Sequence, residues 1–302
     1  MRGWMSSASN SYLPPINLGQ VMRGSGVGRV LAGDAFPKGQ LVSCHPNAIG
    51  WQQVGICDST FVIPLPEYLL PRQLSVSIWA GMLGGTGLTA YFGLLEVGQA
   101  RPGELVVVSS AAGAVGSMVC QLAKHVLKCN VIGIAGGPNK CAWCISELGI
   151  DQAVDYQDES FALRLRQAVQ SIHRLGAHVI FDNVGGKVLD VMLQNLAIHA
   201  RVVLCGSVSG VKQNPIENVG YLIVRQAKMM GFLLFEYEKR YQEAYVNITK
   251  WINEKRLKIT AEECIIGLEN APHALQRLFT GNKKGKLVVQ VSKEEEFFLS
   301  KI

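Results

Sequence analysis

The stretch LVVVSSAAGAVGSMVCQLAKHV, residues 105–126, decides the fold. Its uncharged Leu/Val run predicts a buried strand, LVVVSS (105–110), and residues 114–127 are helix-like in composition. A glycine-containing turn joins the two. A buried strand that enters a helix through such a turn is typical of nucleotide-binding α/β folds, because the amide groups at the helix start can hold a diphosphate.

The turn departs from the common G-x-G-x-x-G spacing. This chain has Ala112, Gly113, Ala114, Val115 and Gly116. We interpret Gly113 and Gly116 as the positions where the backbone comes close to the diphosphate. Taken alone, the motif also fits a strand-to-helix turn that binds nothing. The strands and helices that follow it are what favour nucleotide binding.

Apolar strands and helical stretches alternate after the turn. The predicted strands are NVIGIAG (130–136), AVDY (153–156), HVIFDNVG (178–185), RVVLCGS (201–207) and KLVVQVS (286–292). The predicted helices are Lys140 to Leu148, Phe161 to Ile172, Lys187 to Leu196 and Glu243 to Glu254. Continuous Val, Ile and Leu runs between helices predict an α/β fold with a doubly wound parallel sheet that is covered on both faces.

The N-terminal part has a different pattern of predicted secondary structure. VGRVLAG (27–33), QLVSCHP (40–46) and TFVIPLP (60–66) are short apolar runs between Gly, Pro and Asp residues, which predicts short strands in an all-β region. Near Pro71 this pattern changes from short strands to strands that alternate with helices. A chain of 302 residues fits two domains.

Composition excludes several classes of protein. Hydrophobic residues make up 48% of the chain and charged residues 17%, so wholesale disorder is excluded. The net charge of +6 leaves nucleic-acid binding as a remote alternative. It is remote because no arginine-rich arm gathers the positive charge in one segment. We interpret the densest basic cluster, Lys283, Lys284 and Lys286, as a surface turn before a strand.

Two uncharged stretches, residues 73–95 and 105–123, are long enough to span a membrane. Glycines interrupt the first and Ser109-Ser110 the second, so each is predicted to be a pair of buried elements in a protein without a membrane span. The N-terminus lacks the apolar core of a signal peptide. Eight cysteines, mostly in apolar context, predict buried, reduced thiols and a cytoplasmic location.

No zinc site is expected. Cys141 and Cys144 have CxxC spacing, but no second pair or nearby histidine completes a ligand set, and their surroundings predict a helix. A structural role is therefore favoured over a redox or metal role. His45 follows Cys44 without the further ligands that a zinc alcohol dehydrogenase needs.

The end of the second strand indicates the cofactor. NAD-specific folds carry an acidic residue about 20 residues after the glycine loop, where it bonds the ribose 2′-OH. Here the strand runs into Gly136-Gly137-Pro138-Asn139-Lys140, without an acid. Lys140 can pair with a 2′-phosphate, which favours NADP(H) over NAD. The alternative is that Lys140 is an exposed lysine at a helix start.

Several long motifs are shared with a known family. GLTAYFGLLEVG (87–98), VVVSSAAGAVGS (106–117), GIAGGPNKC (133–141), FDNVGG (181–186) and VVLCGSVS (202–209) lie in the central part, and GLENAP (267–272) lies near the end. Across essentially its whole length, the chain resembles the zinc-independent medium-chain reductases. It is most similar to the group of prostaglandin reductase, also described as leukotriene B4 12-hydroxydehydrogenase or 2-alkenal reductase, and the curcumin-reductase-like proteins.

The resemblance implies a Rossmann domain over residues 72–241. It also implies a discontinuous GroES-like β domain from residues 1–71 and 242–302. It further implies NADPH-dependent reduction of the C=C bond of α,β-unsaturated ketones and aldehydes, with a small-molecule enone or enal as substrate and a homodimer as the assembly. Neither nucleic acid nor a membrane is expected as a partner.

The family's cofactor residues can be placed on this sequence by motif. Thr89 is expected beside the nicotinamide, Gly113, Ala114, Val115 and Gly116 at the diphosphate, and Lys140 and Tyr156 at the 2′-phosphate, followed by Asn183. The nicotinamide side is expected to be lined by residues 205–211, among them Cys205, Gly206, Ser207 and Val211, and by Phe232, Leu233 and Leu234.

The chain departs from the family in three places. It begins at a motif that roughly 40 to 50 residues precede in the family, so the first strands of the β domain are expected to be missing. Val211 stands where a tyrosine is usual, so the hydroxyl that would bond the substrate carbonyl or the nicotinamide ribose is absent. Asn282 lies one place early in the usual G-x-N-x-G-K.

These departures keep a second hypothesis open, a truncated relative that binds nucleotide with little or no turnover. For a reductase, a hydrogen-bond donor at the carbonyl oxygen would stabilise the developing enolate. Val211 cannot donate, and Tyr12 of the SYLPP segment is the other candidate hydroxyl. The alternative for Tyr12 is a loop tyrosine that packs on its domain.

Overall fold

The computed structural model describes residues 14–46, 48–69, 74–207, 215–259, 262–280 and 283–292. The chain divides into two compact units. Unit 1 comprises residues 1–80, 264–276 and 288–302, and unit 2 comprises residues 81–263 and 277–287. The domain boundaries predicted from the sequence stay a prediction, because these units are defined by compactness alone.

Unit 1 contains a three-stranded antiparallel sheet of β1 (Gly26–Arg29), β2 (Leu41–Cys44) and β3 (Val62–Pro64), with β2 in the centre. Val27 lies opposite Ser43, which lies opposite Ile63. The central strand is the most buried of the three. β2 and β3 fall within the short apolar runs that were predicted as strands, and β1 begins one residue before its predicted run.

Unit 2 is built around strands that alternate with helices. In chain order the elements are α1 (Gly85–Phe92), β4 (Leu105–Ser109), α2 (Ala114–Gln121), β5 (Asn130–Ala135), α3 (Pro138–Leu148), β6 (Gln152–Asp155), α4 (Phe161–Ile172), β7 (Ala177–Asp182), α5 (Gly186–Leu193), β8 (Leu196–Leu204), α6 (Gly220–Val224), β9 (Lys228–Gly231) and α7 (Tyr241–Asn253). The remaining elements are β10 (Glu262–Ile266), α8 (Ala271–Thr280) and β11 (Lys286–Gln290), and β10 pairs with β11.

The large sheet of unit 2 has six strands in the order β6-β5-β4-β7-β8-β9, and every neighbouring pair is parallel. Helices cover it, and α4 buries Phe161, Leu165 and Val169 against the strands. The central strands are fully buried, which explains their uninterrupted apolar sequence. The predicted Rossmann-type parallel sheet is confirmed.

Several local predictions need correction. Leu196 begins β8 rather than ending a helix, because α5 ends at Leu193. The helix expected over 114–127 is α-helical to Gln121 and then becomes a π-helical turn over Leu122–Val126. Of the two uncharged stretches, one contains α1 and the other contains β4 and α2. No helix among the described residues is long and apolar enough to cross a membrane.

Most of the cysteines are buried, as predicted. Burial is the largest cause that raises their thiol pKa values, to about 12 for Cys144 and Cys205 and to about 11 for Cys44 and Cys129. Cys141 and Cys144 both lie in α3 and are free thiols, which confirms the predicted helix around the CxxC pair. Cys264 is exposed.

Candidate cofactor and active site

The strand order of the large sheet reverses direction between β4 and β7. The chain runs outward from β4 to β5 and β6 on one side, and returns through β7, β8 and β9 on the other. In open parallel sheets, ligands bind beyond the carboxyl ends of the strands at such a reversal. The residues that follow β4, β5, β7, β8 and β9 are therefore the candidate site.

The loop after β4 is tightly folded. The amide of Gly113 donates to the carbonyl of Ser110 at 2.8 Å, and Ser117 N–H donates to the carbonyl of Gly113. A Cβ atom on Gly116 would lie 2.2 Å from the carbonyl oxygen of Ser110. Gly116 is thus needed for close packing of α2 on its own loop, and its predicted approach to the diphosphate stays a prediction.

The start of α2 still presents donors. The first amides of an α-helix have no acceptor within the helix, and here these belong to Ala114, Val115 and Gly116. The helix dipole adds partial positive charge at the same end. Since the Gly113 amide is already bonded within the turn, these three amides are the ones that fit a diphosphate.

Lys140 and Tyr156 lie at the carboxyl ends of the next two strands. Gly136 and Gly137 follow β5, and Lys140 is the third residue of α3, half-buried. The ring of Tyr156 lies over Gly136, where a Cβ atom would be 2.8 Å from Tyr156 Cε1. The carboxylate at the end of β6, Asp155, accepts from the Gly137 amide at 2.8 Å. Half of the Tyr156 surface is exposed, so the ring is available to a ligand beside Lys140.

A buried polar network joins the ends of β4, β7 and β8. Ser109 Oγ donates to Asp182 Oδ1 at 2.6 Å and accepts from the Asn183 amide at 2.8 Å. The Asn183 side-chain amide donates to the Ser109 carbonyl at 2.8 Å. The Asp182 carboxylate also accepts from Gly185 N–H, and the Asp182 carbonyl accepts from Cys205 N–H.

This network fixes the backbone on which the predicted Asn183, Cys205 and Gly206 stand. Burial raises the pKa of Asp182, and the hydrogen bond from Ser109 opposes that rise. Sequence reasoning named Asn183 but missed Ser109 and Asp182. The sequence did contain a signal for them, because each is a polar residue at the end of an otherwise apolar strand. Buried polar groups are usually hydrogen-bonded, so two such residues can be expected to bond each other.

The predicted nicotinamide side has an apolar wall. Phe232 and Leu233 follow β9, and a Cβ atom on Gly93 would lie 2.7 Å from the Phe232 ring and 2.8 Å from the Phe181 ring. A Cβ atom on Gly85 of α1 would lie 3.8 Å from Leu234. The structure therefore brings α1 and the segment after β9 together.

The remaining predicted residues have mixed outcomes. The hydroxyl of Thr89 donates to the Gly85 carbonyl at 2.6 Å, so its donor is already used within α1. Gly206 and Ser207 follow β8 and are exposed at the sheet edge. Tyr12 and Val211 lie outside the described residues.

A segment that sequence reasoning treated as a surface turn lies at this site. Gly285 N–H donates to the Ala112 carbonyl at 2.9 Å, and Gly285 pairs with Gly113 in a parallel bridge. Lys284 is exposed, as predicted, whereas Lys283 is half-buried. No local pattern signals this contact, because it joins residues that are far apart in the chain.

Two family models match the sequence. One is described as zinc-binding dehydrogenase and covers residues 114–251, and the other is the N-terminal domain of oxidoreductase and covers residues 1–65. A 2-alkenal reductase (NADP(+)-dependent) from Nicotiana tabacum is 36% identical over 299 residues, which span 97% of this chain and 84% of the relative. The chain belongs to the medium-chain dehydrogenase/reductase family.

Other members of this family agree in sequence and structure. An NADPH-dependent curcumin reductase from Escherichia coli is 34% identical over 98% of this chain and 85% of the relative. The crystal structure of CurA in complex with NADPH, from Vibrio vulnificus, superposes with a TM-score of 0.84 at 36% identity, covering 97% of this chain and 86% of that one. This medium-chain reductase is therefore similar to NADP-dependent oxidoreductases along nearly its entire length.

The name of the larger family model mentions zinc. Among the residues that the structure describes, no group of three or more His, Cys, Asp or Glu side chains is placed to hold a metal ion. Zinc independence stays a prediction.

Proposed function

We propose that this protein reduces the C=C bond of α,β-unsaturated ketones and aldehydes with NADPH. The observation that carries the proposal is the arrangement around the two glycines after β5: Lys140 N–H donates to the Gly137 carbonyl at 3.2 Å, and the ring of Tyr156 lies over Gly136. A second strand without a terminal acid, but with a lysine and a phenol beside it, suits a 2′-phosphate better than a free ribose hydroxyl. The alkenal and curcumin reductases among the relatives support the same reaction.

The residues that would hold the cofactor form two groups, one for each of its phosphate sites. The amides of Ala114, Val115 and Gly116 would donate to the diphosphate, and Lys140 and Tyr156 would bond the 2′-phosphate through an ammonium and a hydroxyl. Asn183 is held by Ser109, so it would offer its remaining amide hydrogen and carbonyl oxygen in a fixed orientation. The cofactor site therefore fits NADPH.

NADPH, when bound, supplies the hydride that adds to the β-carbon of the substrate. The electron pair of the C=C bond then moves toward the carbonyl oxygen, and the α-carbon takes its proton from water. The protein's task is to orient the substrate and stabilise the negative charge on that oxygen. Loss of one such donor typically costs about 3–4 kcal/mol of transition-state stabilisation. We propose Tyr12 as the donor, since Val211 has no hydrogen to donate.

Phe232, Leu233 and Leu234 would form the apolar side of the reaction chamber. An apolar wall excludes water from a site where hydride is transferred, and it strengthens any hydrogen bond to the substrate oxygen. Cys205 would also lie on this side, and its thiol is held protonated by burial.

Product analysis with methyl vinyl ketone tests the proposal. Reduction at the C=C bond gives butanone, with one NADPH oxidised per product molecule. Formation of the unsaturated alcohol would instead show carbonyl reduction and contradict the proposal. Tight NADPH binding with no product from a panel of enones and enals would support the alternative, a nucleotide-binding relative without turnover. Butanone itself, which lacks the C=C bond, serves as the matched control substrate.

We also propose that the protein is a cytoplasmic homodimer that pairs along β9. This strand is the edge of the large sheet, and its neighbourhood exposes Ile223 at 81%, Val224 at 72% and Met230 at 52%. An open strand edge with apolar side chains is a surface that a second copy would cover. A monomeric mass in sedimentation at micromolar concentration would contradict the dimer.

A further inference from the structure

The short segment Lys283–Gly285 is held against the glycine-containing loop that precedes α2. Gly285 is buried and has a φ of 65°, which glycine adopts without strain. Its amide donates to the Ala112 carbonyl at 2.9 Å, and it forms a parallel bridge with Gly113. These contacts place the segment next to the residues proposed to bind the diphosphate.

Lys283 precedes this anchor by two residues and is half-buried, so the anchor holds its backbone near the loop before α2. Burial lowers its pKa, and the charge of Lys140 lowers it further. In the described part of the chain, Lys140 is the one charged side chain that contributes to this shift, and no carboxylate lies within ion-pair distance of Lys283.

Lys140 belongs to α3 and Lys283 to the segment before β11, so the two ammonium groups come from separate elements. A third lysine, Lys284, acts with Lys140 on the thiol of Cys144 in α3. These three lysines therefore add positive charge around α3, which also carries Lys140 of the proposed 2′-phosphate contact. Perturbed, clustered titratable groups of this kind mark binding sites.

We propose that Lys283 is a second cationic ligand of the 2′-phosphate of NADPH and, with Lys140, sets the preference for NADPH over NADH. The inference rests on the proposed function for the identity of the cofactor. It adds a residue from a distant part of the sequence to the phosphate site. Since a 2′-phosphate carries close to two negative charges, it can accept from both ammonium groups at once.

Equilibrium binding tests the assignment without requiring turnover. The variant Lys283→Met keeps the length of the side chain and removes the charge. We expect it to weaken NADPH binding by about 10- to 100-fold and to change NADH binding by less than about 2-fold. Adenosine 2′,5′-bisphosphate should lose affinity as NADPH does, and ADP should not.

Lys258→Met is the matched control. Lys258 is exposed and follows α7, so this variant removes the same net charge at a surface position, and NADPH affinity should change by less than about 2-fold. Thermal unfolding without ligand should show Lys283→Met to be no less stable than the parent, because a repulsive contact has been removed.

The outcomes separate this inference from the proposed function. If the parent binds NADPH but Lys283→Met loses NADPH and NADH affinity equally, or loses neither, the assignment of Lys283 to the 2′-phosphate is overturned while the cofactor stands. If the parent binds no NADPH, both are overturned. A parent that binds NADPH and reduces no enone contradicts the reaction alone and leaves the role of Lys283 intact.

Discussion

Replacing Gly116 by alanine tests the packing of α2 on the loop after β4. A Cβ atom at this position would lie 2.2 Å from the Ser110 carbonyl oxygen, 2.8 Å from the Ser110 carbonyl carbon and 3.0 Å from Ala111 Cα. These are backbone atoms and cannot rotate away. Helix propensity favours alanine over glycine by up to about 1 kcal/mol, whereas overpacking costs about 1–3 kcal/mol or more. With three backbone contacts this short, the steric cost exceeds the gain in helix propensity.

We therefore expect Gly116→Ala to lower the free energy of unfolding by about 2 kcal/mol, which lowers the Tm by roughly 4–8 °C for a chain of this size. Calorimetry measures the shift. Gly220→Ala is the control, because a Cβ atom there meets nothing within 4 Å, and its stability should stay equal or rise slightly. Because the clash displaces the amides at the start of α2, Gly116→Ala should also bind NADPH at least about 10-fold more weakly. A Gly116→Ala variant as stable as the parent, with unchanged affinity, would refute the packing argument.

Four further predictions concern the cofactor, the metal, the reaction and pH. Lys140→Ala should weaken NADPH binding by about 10- to 100-fold, corresponding to about 1.5–3 kcal/mol, with little effect on NADH, and equal binding of both cofactors by the parent would contradict it. Purified protein should contain less than stoichiometric zinc, and activity lost with a chelator and restored by zinc would overturn zinc independence. Val211→Tyr should raise kcat about 10- to 100-fold with little change in KM, because the added donor acts mainly in the transition state, and an unchanged kcat would mean that another group already supplies it. Burial, with the charge of His173, lowers the pKa of His178, so the unfolded chain binds a proton at a higher pH than the folded chain does. The free energy of unfolding should therefore fall as the pH drops below about 6.5. In urea titrations at several pH values, His178→Gln should flatten this dependence of stability on pH.

The large sheet could be predicted because its strands are buried on both faces. Val106, Ile132 and Ile180 belong to runs with no polar alternation, and only a parallel sheet covered by helices makes such runs favourable. The edge strand β9 was missed because Lys228–Gly231 lies mostly at the surface, where sequence is less constrained. For the same reason the short α6 carries no clear pattern.

The candidate site was predictable where its residues adjoin a strand end in sequence. Asn183 comes directly after β7, and Lys140 lies in the first turn of the helix that follows β5, so their place at the carboxyl edge of the sheet follows from strand direction. Lys283 could not be placed in this way, because its neighbour Lys140 belongs to a separate segment and the contact depends on tertiary folding. Asp182 was hidden by its position within an apparent strand, where its partner Ser109 comes from another strand.

The raised pKa values of the buried thiols affect how readily the proposed substrate would alkylate the protein. Enones and enals are electrophiles that alkylate thiolates and spare neutral thiols. A thiol whose pKa is raised to about 12 is ionised far less at neutral pH than an ordinary cysteine. Cys205, which would face the reacting carbons, is therefore protected chemically. The exposed Cys264 is the position where covalent adducts should accumulate first.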